Sequence, residues 1–352
     1  GDGVPDSEDQ WPGKDDGVFG ETLYLGTTGP YEDLDPQTVG WGDPDVVGEM
    51  YDTLVTYHGD FDLTPKPCLA DSWEMSEDGK MYTFHLKTGV KFYPSGNEVT
   101  AEDVEFSIER LKYKVIGFYW MIDGIWNRTE IVDRYTVRDY LNIPFVAWLA
   151  VRSHPAVGSI IEKAFVEQHG PDLPEERNEY ISSHSGGSGP YYLKEHKPRE
   201  LVILEANPNY HGGWDGKHVK RVVLRVIQEP ATRLMLLARG DLDIAMIDSK
   251  MLPELEARIV SENLPVHVWK EIDGRPILGM EMRKIAVNTM MLPTSDRNVR
   301  LALRYSLNSE LWREEVAHGY SIKSSGWVPV GIFGHTDEFG YDFSLTKAKE
   351  YY

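Results

Sequence analysis

"KPCLADSWEMSEDGKMYTFHLKTGVKFYPSGNEVTAEDVEFSIERL", residues 66–111, carries the densest structural signal in the chain. Trp73 and Met75 alternate with polar neighbours before Asp78-Gly79, and Tyr82, Phe84 and Leu86 alternate after it. Period-two alternation on both sides of an Asp-Gly pair reads as a β-hairpin, because that pair takes the positive φ that a tight turn demands. Gly89–Phe92 supplies a further short strand. Thr100 then opens a helix. Thr-Ala-Glu-Asp places the Asp103 carboxylate one turn in, close to a capping box, and Val104, Ile108 and Leu111 form the buried stripe.

The same reading extends outward. Upstream, Leu23 and Leu25 alternate with Tyr24 in a strand that ends at Gly26 and Gly29-Pro30. "VVGEMYDTLVTY" predicts a helix with Val46, Met50 and Leu54 on one face, passing into a short strand near Leu54–Tyr57. Downstream, Pro230 suits a first helical turn, Leu234, Leu237 and Ala238 follow at helical spacing, and Gly240 sits where a C-terminal cap belongs. Asp241 and Asp243, in "GDLDIAMID", read as surface residues between that helix and a strand. A calcium loop would need further oxygen ligands and a glycine that this stretch lacks.

In order and residue choice these segments resemble the family 5 extracellular solute-binding proteins of ABC transporters, the peptide-, nickel- and oligosaccharide-binding class. Pro67–Trp73, Asp78-Gly79, Tyr82–Leu86, Gly89–Phe92 and Thr100–Val104 carry the first part of the likeness. "SGPYYLKEHKPRELVILEANPNYHGG" (188–213), "RVVLRVIQEPATRLMLLARGDLDIA" (221–245) and "NVRLALRYSLNSELWREEVAHGY" (298–320) continue it. "FYPSGNEV" departs from the family's usual turn. The resemblance implies an α/β fold: a two-lobe, type II periplasmic-binding-protein architecture with an extra subdomain inserted in lobe one. It places the lobe-one core at 19–43 and 180–268, the inserted subdomain at 44–179 and the start of lobe two at 269–352. Residues 1–18 read as a flexible acidic tether. "DFSLTKAKEYY" resembles a helix inside lobe two, with Ser344 as its N-cap, so lobe two is expected to be incomplete here.

Composition narrows the function classes. A net charge of -21 disfavours nucleic acid and anionic membranes as partners. The single cysteine, Cys68, cannot form an internal disulfide, and no zinc spacing is present. No run of about 18 apolar residues occurs that would span a membrane. Neither a nucleophile motif nor a phosphate-binding glycine loop appears, so no catalytic residue, metal ligand or cofactor is expected.

Binding candidates are aromatic and hydroxyl side chains outside clear core patterns. Thr28 and Tyr31 follow the first strand, where the resemblance puts lobe one's contact with its ligand. Phe118, Tyr119 and Trp120, with Trp126 nearby, crowd one loop where the family places an aromatic contact. Trp327 lies on a loop near the family's pocket. Packing inside the inserted subdomain is the competing reading for these rings. The expected function is capture of an oligopeptide outside the cytoplasm by a monomer, periplasmic or cell-surface associated, and delivery to permease subunits. An oligosaccharide is the alternative cargo, since indole faces stack on sugar rings. A secreted glycoside hydrolase would need a carboxylate pair that cannot be singled out among 57 acidic residues. A surface receptor that never hands over cargo is a further rival.

Overall fold

A computed structural model describes residues 21–40, 43–57, 64–214, 216, 218–247, 249–264, 266–268, 271–272, 275–276, 286–319, 321–323, 335–336, 338 and 340–352. The expected tether and Trp327 lie outside these residues. The chain divides into two compact units, 1–246 and 247–352.

Two sheets organise the first unit. Strand Thr22–Thr27 lies between two parallel neighbours, Arg221–Val226 and Ile244–Ala245. Leu201–Ala206 and Tyr191–Lys197 extend that sheet antiparallel, giving five strands drawn from distant parts of the sequence. The second sheet has four antiparallel strands in the order Ala70–Met75, Met81–Leu86, Thr136–Leu141, Trp126–Asp133. The first two are the hairpin read from the alternation around Asp78-Gly79.

Helix Ala101–Lys114 packs near the second sheet, with Val104, Ile108 and Leu111 fully buried. The Asp103 carboxylate accepts from the Thr100 backbone N–H and from its hydroxyl, each at 2.9 Å, which holds the helix start. Pro230–Arg239 is a helix ended by Gly240 at φ 77°, the left-handed cap the sequence predicts.

Two local expectations need correction. The helix at Pro44–Met50 stops before Leu54, because Tyr51 is extended. From there the backbone pairs elsewhere: Gly189 N donates to Met50 O, and Leu69 and Ala70 donate to Thr53 and Leu54. Leu54 is fully buried, but from an extended segment. Gly89–Phe92 forms only an isolated bridge, Lys91 to Glu98, within a tight loop. In turn, strands Trp126–Asp133 and Thr136–Leu141 occupy a stretch for which the sequence predicts no element.

In the second unit, helix Leu252–Glu262 and the strand pair Glu271–Ile272 and Arg275–Pro276 come first. Helix Arg297–Ser306 is capped by Asp296, which accepts from Asn298 N at 2.7 Å. It packs against helix Leu345–Tyr351, whose first turn is capped by Ser344 accepting from Lys347 N.

Candidate functional site

The end of strand Thr22–Thr27 is tied down by side chains. Thr27 Oγ1 meets Tyr31 Oη at 3.0 Å and accepts from Gly29 N at 3.2 Å. Tyr31 carries a positive φ of 42°, donates its N–H to Asp43 Oδ1 at 3.1 Å, and accepts at its carbonyl from His196 Nε2 at 2.5 Å. Its ring is 2% exposed. Burial pushes the Tyr31 phenol up to about 12 and the Asp43 carboxyl up to about 6. Thr28 is half-buried, and its carbonyl accepts from Gln228 Nε2 at 3.2 Å.

A second group forms where the chain leaves helix Ala101–Lys114. Gly117 takes φ 65°, and a Cβ there would sit 2.9 Å from Val39 O, so the turn lies directly on the 33–39 loop. Phe118 is buried, with its ring centre 5.1 Å from that of His154. Tyr119 opens a single 3-10 turn and packs partly against the core. Trp120, 55% exposed, is the ring of this group that meets solvent most. Trp126 is half-buried and donates its indole N–H to Thr129 at 3.2 Å. Tyr31 and Phe118 thus belong to one buried cluster, while Thr28 and Trp120 keep exposed atoms.

Asp241 and Asp243 have structural partners. Asp243 Oδ2 accepts from Tyr24 N at 2.8 Å and so extends the sheet register, and Asp241 is buried beside Arg239 at 3.2 Å. Asp241 is therefore not the surface residue that the sequence suggests.

A side-chain cluster that no sequence spacing signals lies elsewhere in the first unit. Asp52 Oδ2 accepts from His211 Nε2 at 3.0 Å and from Ser188 Oγ at 2.8 Å, and Cys68 Sγ donates to Asp52 Oδ1 at 3.5 Å. Cys68 is 16 residues from Asp52 and His211 is 159, so only the fold brings them together. Burial first, then the Asp52 charge, pushes the Cys68 thiol well above its ordinary value.

Residues 64–352 match the model of the bacterial extracellular solute-binding proteins, family 5 Middle. The chain is 29% identical over 334 residues to the probable D,D-dipeptide-binding periplasmic protein DdpA of Escherichia coli K12, covering 94% of this chain and 61% of that protein. It is 27% identical over 351 residues to di/tripeptide-binding protein 2 of Pseudomonas aeruginosa, covering 93% of this chain and 63% of that one. A solved structure, the periplasmic binding protein DppA of Helicobacter pylori in complex with peptide STSA, superposes with a TM-score of 0.75 at 26% identity. That superposition covers 94% of this chain and 65% of DppA. The chain therefore spans less than two thirds of the length of these relatives. With the family model matched from residue 64 to the last residue and the fold shared across nearly the whole chain, this protein belongs to the family 5 bacterial extracellular solute-binding proteins.

Proposed function

We propose that the whole protein captures an oligopeptide outside the cytoplasm, between two lobes, and delivers it to an ABC transporter permease without chemical change. The observation that carries this reading is the alignment of nearly the whole chain with relatives named for dipeptide and di/tripeptide binding, together with a shared fold with a protein holding a bound tetrapeptide. In this reading the lobe-one core comprises 19–43 and 180–268, the inserted subdomain 44–179, and lobe two begins near 269. Closure over the ligand is favoured because only the closed state contacts it from both sides. Thr28, Tyr119 and Trp120, the described candidates with exposed atoms, are assigned to the ligand. Tyr31 and Phe118 shape the ground beneath them.

The test is thermal unfolding of the whole protein against a panel of di- to pentapeptides and neutral oligosaccharides. A ligand at a hundred times its dissociation constant adds about 2.7 kcal/mol. A peptide should raise the melting temperature, and Trp120→Ala should reduce that shift while leaving the ligand-free melting temperature nearly unchanged. A shift with oligosaccharides alone, or none with any peptide, overturns the peptide reading.

A further inference from the structure

Among the described residues, Asp52, Cys68 and His211 bring one carboxylate oxygen, one sulfur and one imidazole nitrogen within 4.8 Å of one another. We propose that these three side chains bind a divalent transition metal ion, with Zn²⁺ the best match to the donor set. Thiolate and imidazole favour zinc-like ions over Mg²⁺ and Ca²⁺, and a carboxylate completes a three-ligand set that leaves one position open. A tetrahedral ion with metal–ligand bonds of about 2.0–2.3 Å holds its ligands roughly 3.3–3.8 Å apart. Asp52 Oδ2 lies 3.0 Å from His211 Nε2 and Asp52 Oδ1 lies 3.5 Å from Cys68 Sγ, so the carboxylate faces both other ligands and a small adjustment brings one oxygen into the set.

Each ligand is positioned by neighbouring backbone. Asp52 lies just past the end of helix Pro44–Met50. Cys68 N donates to Leu54 O at 3.3 Å. His211 follows a turn closed by Tyr210 N to Asn207 O at 3.1 Å. Ser188 donates to the Asp52 oxygen that faces His211 and so supports the carboxylate from outside the ligand set. His211 also lines an open cleft with Asp71, Lys87, Thr88, Gly89 and Val90. That cleft gives the ion a route in and a water molecule access to the fourth position.

Binding balances simply. Cys68 loses its thiol proton to solvent and becomes the sulfur ligand. His211 moves its proton from Nε2 to Nδ1, freeing Nε2. One proton is released per ion. The competing description is a hydrogen-bond hub in which Asp52 merely accepts from three donors. The two descriptions differ in what sulfur does.

The experiment is a Co²⁺ titration of the chelator-treated chain followed by absorption. The expected result is saturation at one ion per chain, a sulfur-to-cobalt charge-transfer band in the near ultraviolet, and loss of that band on adding Zn²⁺. Because Cys68 is the single cysteine of the sequence, the band reports its ligation directly, even if a variant fails to fold. Cys68→Ser, which keeps a donor to Asp52, should abolish the band and weaken Co²⁺ binding about a hundred-fold or more. That is the upper end of what loss of even a supporting partner costs. His211→Gln should weaken it similarly. Absence of the charge-transfer band in the unmodified chain, or equal Co²⁺ affinity in the unmodified and Cys68→Ser chains, overturns the proposal and leaves the hydrogen-bond hub.

Discussion

Asp43 is a carboxylate held away from water with the Tyr31 N–H as its partner. Burial raises its folded-state value to about 6, whereas an unfolded chain binds that proton only near pH 4. Between those values the folded state holds more protons than the unfolded one. Asp43 therefore contributes stability below about pH 4 that is lost as pH rises through about 6. The contribution is at most about 3 kcal/mol, since each tenfold change in proton affinity is worth about 1.36 kcal/mol, and solvent screening lowers it. Asp43→Asn keeps an acceptor for Tyr31 but removes the titration. The difference in unfolding free energy between the unmodified protein and this variant should change with the predicted sign across pH 4 to 6. Parallel stability curves for the two would refute the assignment. Nothing in the sequence foretells this behaviour, because Asp43 looks like one more acid in an acidic chain and its partner is twelve residues away.

Elements are joined by a buried ionic network and by glycine contacts. Arg110, on helix Ala101–Lys114, donates to both oxygens of Asp35 at 2.6 Å and to Asp172 at 2.7 Å, while Lys114 reaches Asp172 at 2.7 Å. Arg110 and Asp35 are essentially fully buried. Burial alone raises Asp172, but its two cations outweigh that and hold it below its ordinary value. Arg110→Met leaves Asp35 buried and uncompensated, which should cost about 3–5 kcal/mol in urea unfolding. A loss below about 1 kcal/mol would show that the network is not what docks the 33–39 loop on this helix. At Gly187 an added Cβ would meet Met50 O at 2.2 Å, so backbone lies against backbone. Gly187→Ala should therefore destabilise by about 1–3 kcal/mol. Gly40→Ala, where nothing lies within 4 Å of the added carbon, should stay within about 0.5 kcal/mol. Equal effects of the two would refute this packing. At this scale the hairpin around Asp78-Gly79 and the Thr100 helix start are legible in the sequence, because alternation, turn and cap all act over a few residues. The strands from 126 to 141 are not. Their inward positions include Thr129 and Asp139, buried polar residues that bond each other at 2.5 Å, and Asp139 also accepts from Trp148 at 2.9 Å. Polar residues satisfied inside a core break the pattern that would mark the strand.

At the scale of the molecule, the order of motifs along the chain reveals the family, since four modest signals in sequence constrain a fold more than any one of them. Binding geometry is less legible. Tyr31 and Phe118 are aromatic residues in loops, and only the folded chain separates them, as buried rings, from exposed Trp120. The Asp52–Cys68–His211 cluster has no local spacing to read. The central claim, capture of a peptide, makes a demand that a neutral ligand would not. A free α-amine buried without a charged partner costs several kcal/mol, so a peptide binder must aim an acidic or carbonyl group at it. The most direct measurement is calorimetric titration of the whole protein with an oligopeptide and with its N-acetylated form. The account predicts that acetylation weakens binding about ten-fold or more, equivalent to about 1.4 kcal/mol or more. Equal affinity for the two forms, or tight binding of a neutral oligosaccharide with no binding of peptide, would contradict it.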